Sequence, residues 1–181
     1  MDAQTNVTST GQKIRTVDIT VTAAMAALVF LGTYIFKIPT ISGYVHLGDC
    51  MILLTVALFG MKKGAIAGAI GGGLSDFIGG YFYWVVPTLL IKCMWAIVMG
   101  LIMHKVLKDK KGSFLIGAIA GGVLHIIAYT LVRVVLYGGK TAIIEIAALA
   151  FQTGAGIVIG FVIYMLLKKS GVAGRLSGMV K

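Results

Sequence analysis

Apolar residues fill this chain in six blocks separated by short polar or glycine-rich breaks. The blocks predict helices at about 17–36, 47–61, 64–80, 84–107, 113–137 and 142–167. The second and third are short and parted only by Met61, Lys62 and Lys63, which reads as a tight helical hairpin. The other breaks fall at Lys37–Val45, Gly79–Tyr83, Lys108–Gly112 and Gly138–Thr141. Small residues recur every four positions within the blocks: Gly64, Gly68 and Gly72; Ala65, Ala69 and Gly73; Gly117 and Gly121; Gly156 and Gly160. That spacing lines one helix face with small side chains and lets two backbones approach closely. On the first helix, Ala23 and Ala27 present the same spacing as a candidate face for docking another protein.

Composition sets the solvent. Of 181 residues, 59% are hydrophobic and 12% charged, where a soluble domain carries about 25% charged residues. The mean hydropathy is +0.99. Such a chain cannot cover itself with polar surface, and a spanning helix needs about 20 apolar residues. The expected fold is therefore an all-α integral membrane protein of six transmembrane helices. It has a cytoplasmic tail at 1–16, one membrane domain at 17–169 and a second cytoplasmic tail at 170–181. The first apolar block is too long for a cleaved signal and lacks a small-x-small cleavage site. Cys50 and Cys93 lie in apolar stretches and read as free thiols.

The net charge of +10 changes meaning once it is placed along the chain. With the N-terminus inside, the inner segments hold Lys13, Arg15, Lys62, Lys63, Lys105, Lys108, Lys110, Lys111, Lys168, Lys169, Arg175 and Lys181, and the outer loops only Lys37 and Lys140. A bias of twelve to two is the positive-inside signature and puts both ends in the cytoplasm. Topology and anionic headgroups explain the basic charge, so nucleic acid is not an expected partner.

Charged groups at membrane depth cost a few kcal/mol or more and persist when paired or functional. In this topology Asp49, Asp76, Lys92, Arg133 and Glu145 all fall in the outer half of the membrane, with Gln152 about 10 Å deeper than Glu145. Clustering on one side points to a polar cavity open to the exterior. Tyr129 lies one turn from Arg133 on the fifth helix, and His125 one turn deeper. Internal pairing is the competing reading, with Glu145 neutralising Arg133 and Asp76 neutralising Lys92. Tyr81, Phe82, Tyr83 and Trp84 serve either as an interfacial aromatic belt or as stacking groups for a flat ring. In the loop at 41–49, His46 and Asp49 suit a lid over a ligand, and Asp49 equally suits a cap on the second helix. His104, beside Lys105, reads as interfacial. The candidate substrate-binding residues are His46, Asp49, Trp84, Lys92, Tyr129, Arg133, Glu145 and Gln152. No phosphate-binding loop, Cys-x-x-Cys or His-Glu-x-x-His motif occurs. Neither a metal, a cofactor nor an ATPase site is expected, and any ATP-driven step needs a partner.

Three stretches carry a family resemblance: the small-residue first helix around Ala23 and Ala27, Gly-Tyr-Val-His-Leu-Gly-Asp at 43–49, and Gly-Gly-Leu-Ser-Asp-Phe-Ile-Gly-Gly-Tyr at 72–81 followed by Trp84, Pro87-Thr88 and Ile91-Lys92. The chain resembles a substrate-specific (S) component of an energy-coupling factor (ECF) transporter, from about Arg15 to Lys169. The similar branch is associated with hydroxymethylpyrimidine, pyridoxine or riboflavin uptake. The resemblance implies a multi-pass protein of the bacterial cell membrane that binds one vitamin-like small molecule on the outer side. It implies a lid at Lys37–Asp49 and a membrane coupling subunit docked on the face of Ala23 and Ala27. It also implies two cytoplasmic ATPases, and toppling in the membrane to release cargo.

Charges and aromatics together favour a small polar heteroaromatic ligand such as hydroxymethylpyrimidine or pyridoxine over the larger riboflavin. Three other readings compete. An intramembrane enzyme needs a nucleophile–base pair or metal ligands at helical spacing. A self-sufficient secondary transporter favours an internal repeat with broken helices, and residues 17–80 and 84–167 are not similar to each other. A structural assembly subunit binds no solute and pairs its charges internally.

Overall fold

The computed structural model describes residues 15–178, so the expectations resting on Lys13, Lys181 and most of the N-terminal tail lie outside the described residues. The helices are α1 (Thr16–Tyr34), α2 (Asp49–Phe59), α3 (Met61–Ile78), α4 (Phe82–Gly100), α5 (Ser113–Tyr137), α6 (Gly139–Lys169) and a short α7 (Val172–Gly178). The last turn of α4 runs on as a π-helical segment, Leu101–Val106. Between α1 and α2 the chain forms a small antiparallel hairpin, β1 (Ile38–Pro39) with β2 (Tyr44–Val45), in the register Ile38 to Val45 and Pro39 to Tyr44. The all-helical expectation missed this hairpin and α7.

Boundaries moved where glycine overrides the apolar pattern. Gly60 alone separates α2 from α3, at φ 92°, so Met61–Lys63 are helical instead of forming the break. Gly138, at φ 83°, ends α5, and α6 begins directly after it, three residues before the expected start. Only glycine adopts such left-handed angles without strain.

Among the described residues, four segments are long and apolar enough to cross a membrane: Thr16–Tyr34, Phe82–Val106, Ser113–Tyr137 and Gly139–Lys169. Their outer faces expose large apolar side chains, among them Leu90, Val123, Val135, Phe151 and Val158. Lipid is the solvent that accepts such a surface, and the chain is an all-α membrane protein. The 11 residues of α2 reach about 16 Å. This helix is buried among α1, α3, α4 and α6, with Ile52, Leu53 and Val56 fully enclosed.

Small residues set the packing. A Cβ on Gly64 would come within 2.3 Å of Val56, and one on Gly121 within 2.3 Å of Trp95. Gly72 faces the Lys92 stem, and Gly156 and Gly160 face Asp49 and Cys50 on α2. The four-residue spacings thus serve internal helix contacts. A core of Val29, Ile52, Leu53, Val56, Trp95, Met99 and Phe114 fills the middle of the bundle. Both cysteines are free.

Cross-links fix which helix ends lie together. Lys63 Nζ is 3.0 Å from Asp18, and His104 Nε2 is 3.0 Å from the Val56 carbonyl. The starts of α1 and α3 and the ends of α2 and α4 therefore share one end of the bundle. His104 also contacts Asp109 at 2.8 Å. Asp76, Trp84, Arg133, Glu145 and the hairpin gather at the opposite end.

Candidate functional site

The hairpin roofs that second end, and its turn residue Ser42 is held by three helices. The Ser42 backbone N–H donates to Glu145 Oε1 at 2.6 Å, and its hydroxyl donates to Oε2 at 2.7 Å. Arg133 Nε donates to Ser42 Oγ at 3.2 Å and pairs with Glu145 at 2.9 Å. Trp84 Nε1 reaches the Ser42 carbonyl at 3.1 Å. Further along, the Tyr44 hydroxyl donates to Asp76 Oδ1 on α3. The His46 backbone N–H donates to Gln152 Oε1 on α6 at 3.2 Å.

Lys37, at the start of the loop, adds a fourth tie. Its ammonium donates to the Ser75 carbonyl at 3.2 Å and lies 4.4 Å, 4.5 Å and 5.4 Å from the ring centroids of Tyr34, Tyr44 and Tyr81. Ring faces attract a cation there. Burial lowers the Lys37 pKa below its ordinary value, and the Asp76 charge opposes that shift.

Beneath the roof, Lys92 and Asp49 form a fully buried pair, Nζ to Oδ1 at 2.5 Å. Gln152 Nε2 donates to the second Asp49 oxygen at 2.7 Å. The carboxylate is thus engaged inward and makes no cap on α2. Lys92 pairs with Asp49 and not with Asp76, which is bonded instead to Tyr44. The His46 ring lies 3.4 Å from the Lys92 ammonium through Nε2, while the Gly48 N–H donates to Nδ1 at 3.1 Å. A nitrogen that accepts a hydrogen bond carries no proton, so this geometry holds the imidazole neutral. Burial, reinforced by the Lys92 charge, pushes the His46 pKa down to about 3 against the opposing pull of Asp49.

Between roof and floor lies a narrow, partly open cavity, about 390 Å³ when the solvent at its mouth is counted. The hairpin region contributes Gly43, Tyr44 and His46 to its wall, α3 contributes Asp76, and α4 contributes Trp84, Thr88 and Lys92. Tyr129 and Arg133 come from α5, and Leu149 and Gln152 from α6. Trp84 and Tyr129 lie 5.6 Å apart and form one aromatic wall. Two buried polar atoms of the lining, Asp76 Oδ2 and Arg133 Nη1, have no hydrogen-bond partner in the protein. Among the described residues no three His, Cys, Asp or Glu side chains converge to hold a metal ion.

Residues 13–169 match the family model for the ECF-type riboflavin transporter, S component. The chain belongs to the S-component family of ECF transporters. A protein of Pyrococcus woesei described as "Uncharacterized protein in gap 3'region" is 36% identical over 132 residues, covering 73% of this chain and 87% of that relative. Members of the matched family are membrane transport subunits.

In this S component, six of the eight residues singled out from sequence meet on the cavity wall: His46, Trp84, Lys92, Tyr129, Arg133 and Gln152. Asp49 and Glu145 do not line it. They stand one layer behind, where Asp49 holds Lys92 and Glu145 holds the hairpin and Arg133. His125 is fully buried behind Tyr129 and bonds Thr153 at 3.1 Å. Of the aromatic run, Trp84 points inward, whereas Phe82 and Tyr83 are exposed. Sequence reasoning missed Ser42, Tyr44, Thr88 and Leu149, and placed Asp76 in the outward polar cluster, with Lys92 as its partner only in the competing reading. Tyr44 and Asp76 both sit within the stretches that carried the family resemblance, which was the available signal. Ala23 and Ala27 are exposed on α1, whose buried positions are Ala26, Val29 and Thr33.

Proposed function

We propose that this S component is the solute-binding membrane subunit of an ATP-driven ECF importer, and that its solute is a small heteroaromatic vitamin or precursor. The observation that carries this reading is the cavity under the hairpin. Its lining combines ring-stacking walls with a few directed polar groups, the chemistry of a small-molecule site. A single-ring compound such as hydroxymethylpyrimidine or pyridoxine suits a wall with this many charges better than riboflavin, the ligand in the family's name. The substrate contacts in this reading are His46, Trp84, Lys92, Tyr129, Arg133 and Gln152, with Asp49 and Glu145 positioning them.

The topology proposed with this role is six crossings with both ends cytoplasmic. Basic residues at the end opposite the cavity, among them Lys62, Lys63, Lys105 and Lys168, support it through the positive-inside rule. The cavity then opens outward. With no nucleotide motif of its own, the chain depends on a coupling subunit docked at Ala23 and Ala27 and on two cytoplasmic ATPases. An archaeal relative widens the expected location from bacterial to prokaryotic cell membranes generally.

Native mass spectrometry of the purified chain in lipid nanodiscs, loaded from a vitamin mixture, tests the proposal. Retention of one heteroaromatic solute, released on denaturation, is expected. An empty protein across the mixture, or counterflow of solute by the lone chain, refutes it.

A further inference from the structure

The cavity holds two polar atoms that the fold leaves unused. Asp76 Oδ1 is occupied by the Tyr44 hydroxyl and the Thr88 hydroxyl stands beside the carboxylate, while Oδ2 is buried with no hydrogen bond of its own. Arg133 Nε is occupied by Ser42 and Glu145, while Nη1 is buried without a partner. Both residues line the cavity and are more than nine-tenths buried. An unpaired buried polar group costs about 1–3 kcal/mol, more when charged, so such groups are normally satisfied. Here one side of each group is anchored to the lid and the other is free. One is an acceptor and the other a donor.

Formal charge around the cavity is balanced. Lys37, Lys92 and Arg133 stand against Asp49, Asp76 and Glu145, each bonded to the wall or to its neighbours. His46 accepts a hydrogen bond at Nδ1 and adds no charge. A phosphate monoester carries close to two negative charges, and burying it needs a surplus of cations. Lys92 and Arg133 already have carboxylate partners, so no surplus exists.

We propose that Asp76 Oδ2 and Arg133 Nη1 are the two atoms that read the solute, selecting a neutral ring compound with one hydrogen-bond donor and one acceptor over its phosphate ester. The inference rests on the cavity being the solute site. It adds Asp76 to the binding residues and gives Asp76 and Arg133 a double role, because the oxygen or nitrogen that grips the lid belongs to the same side chain that grips the solute.

Binding of pyridoxine and hydroxymethylpyrimidine, each beside its phosphate ester, is measured by isothermal titration and native mass spectrometry on the wild-type chain, Asp76→Asn and Arg133→Lys. Asp76→Asn places an amide donor where an acceptor stood. Arg133→Lys keeps the charge facing Glu145 and removes Nη1. The expected result is an alcohol bound at least about 100-fold tighter than its ester, and a loss of about tenfold or more in each variant. A phosphate ester bound as tightly as its alcohol overturns the inference, as does unchanged affinity in Asp76→Asn. The ester comparison needs only the wild-type chain and stands if a variant fails to fold. A wild-type chain that takes up no solute removes the site assignment itself, and the inference with it. Binding that is intact in wild type and insensitive to both variants removes the inference alone.

Discussion

Acidification should open the hairpin, and His46 sets the size of the effect. The ring is buried, accepts the Gly48 N–H at Nδ1 and faces the Lys92 ammonium at 3.4 Å. A second proton would set N–H against N–H on one side and cation against cation on the other. The closed loop therefore binds its proton only near pH 3, while an opened loop with the ring in water binds it near pH 6.5. Between those values the open form holds more protons, so closure is strongest above pH 6.5 and weakens as pH falls. At pH 5 the solvated imidazole is nearly all protonated, which favours opening by about 2 kcal/mol relative to pH 7.5. That is about a 30-fold rise in the opening equilibrium.

Hydrogen exchange of the segment at 38–48, read by mass spectrometry at pH 7.5 and pH 5.0 and corrected for intrinsic rates, reports this opening. Wild type should show the full rise. His46→Gln should show little, since its side chain does not titrate. Glu145 and Asp76 also hold the loop, but they are common to both proteins and cancel in the comparison. Equal pH dependence in the two proteins refutes the reasoning, because the titrating group would then lie elsewhere.

Other consequences are more direct. Asp49→Ala leaves the Lys92 ammonium buried without its partner and should cost about 3–5 kcal/mol of stability in detergent, while Asp49→Leu with Lys92→Met together should recover most of that loss; denaturant melts of the single and double variants check both. Gly71→Val places a Cβ 2.5 Å from the Ala26 carbonyl, a backbone atom that cannot turn aside, and should lower stability by about 1–3 kcal/mol through the α1–α3 contact. Thermal unfolding of the detergent-solubilised variant measures it. Ala23→Leu with Ala27→Leu should abolish co-purification with the coupling subunit and leave solute binding at the wild-type level, because both positions are exposed on α1 and far along the chain from the cavity lining; loss of binding in this variant argues against a separate docking face.

The apolar blocks made the helices legible because lipid-facing helices must satisfy their backbone internally, and that demands long continuous runs. The small-residue spacings were equally legible, since Gly64, Gly121 and Gly156 each meet a neighbour too close for a side chain. What escaped was local and cooperative. The pairs Ile38–Val45 and Pro39–Tyr44 form no periodic pattern at all. They stand because Ser42 is gripped by side chains more than 40 positions away, at Trp84, Arg133 and Glu145.

The same limit explains why, of the two internal pairs that the competing reading named, Arg133 with Glu145 forms and Lys92 with Asp76 does not. Depth in the membrane placed Asp49, Asp76, Lys92, Arg133 and Glu145 in one layer, but depth says nothing about azimuth around the bundle. Which carboxylate meets which cation depends on how closely the helices approach, and Gly72 decides that for Lys92. With no side chain there, α3 leaves room for the Lys92 stem, whose Cδ lies 2.5 Å from where a Cβ would stand. The lysine can then run past α3 to Asp49 on the buried α2. Asp76, left without a lysine, turns one oxygen to the lid tyrosine and the other to the cavity. The absence of a side chain at Gly72 thus gives Lys92 its path to Asp49 and leaves Asp76 bonded to the lid through Tyr44.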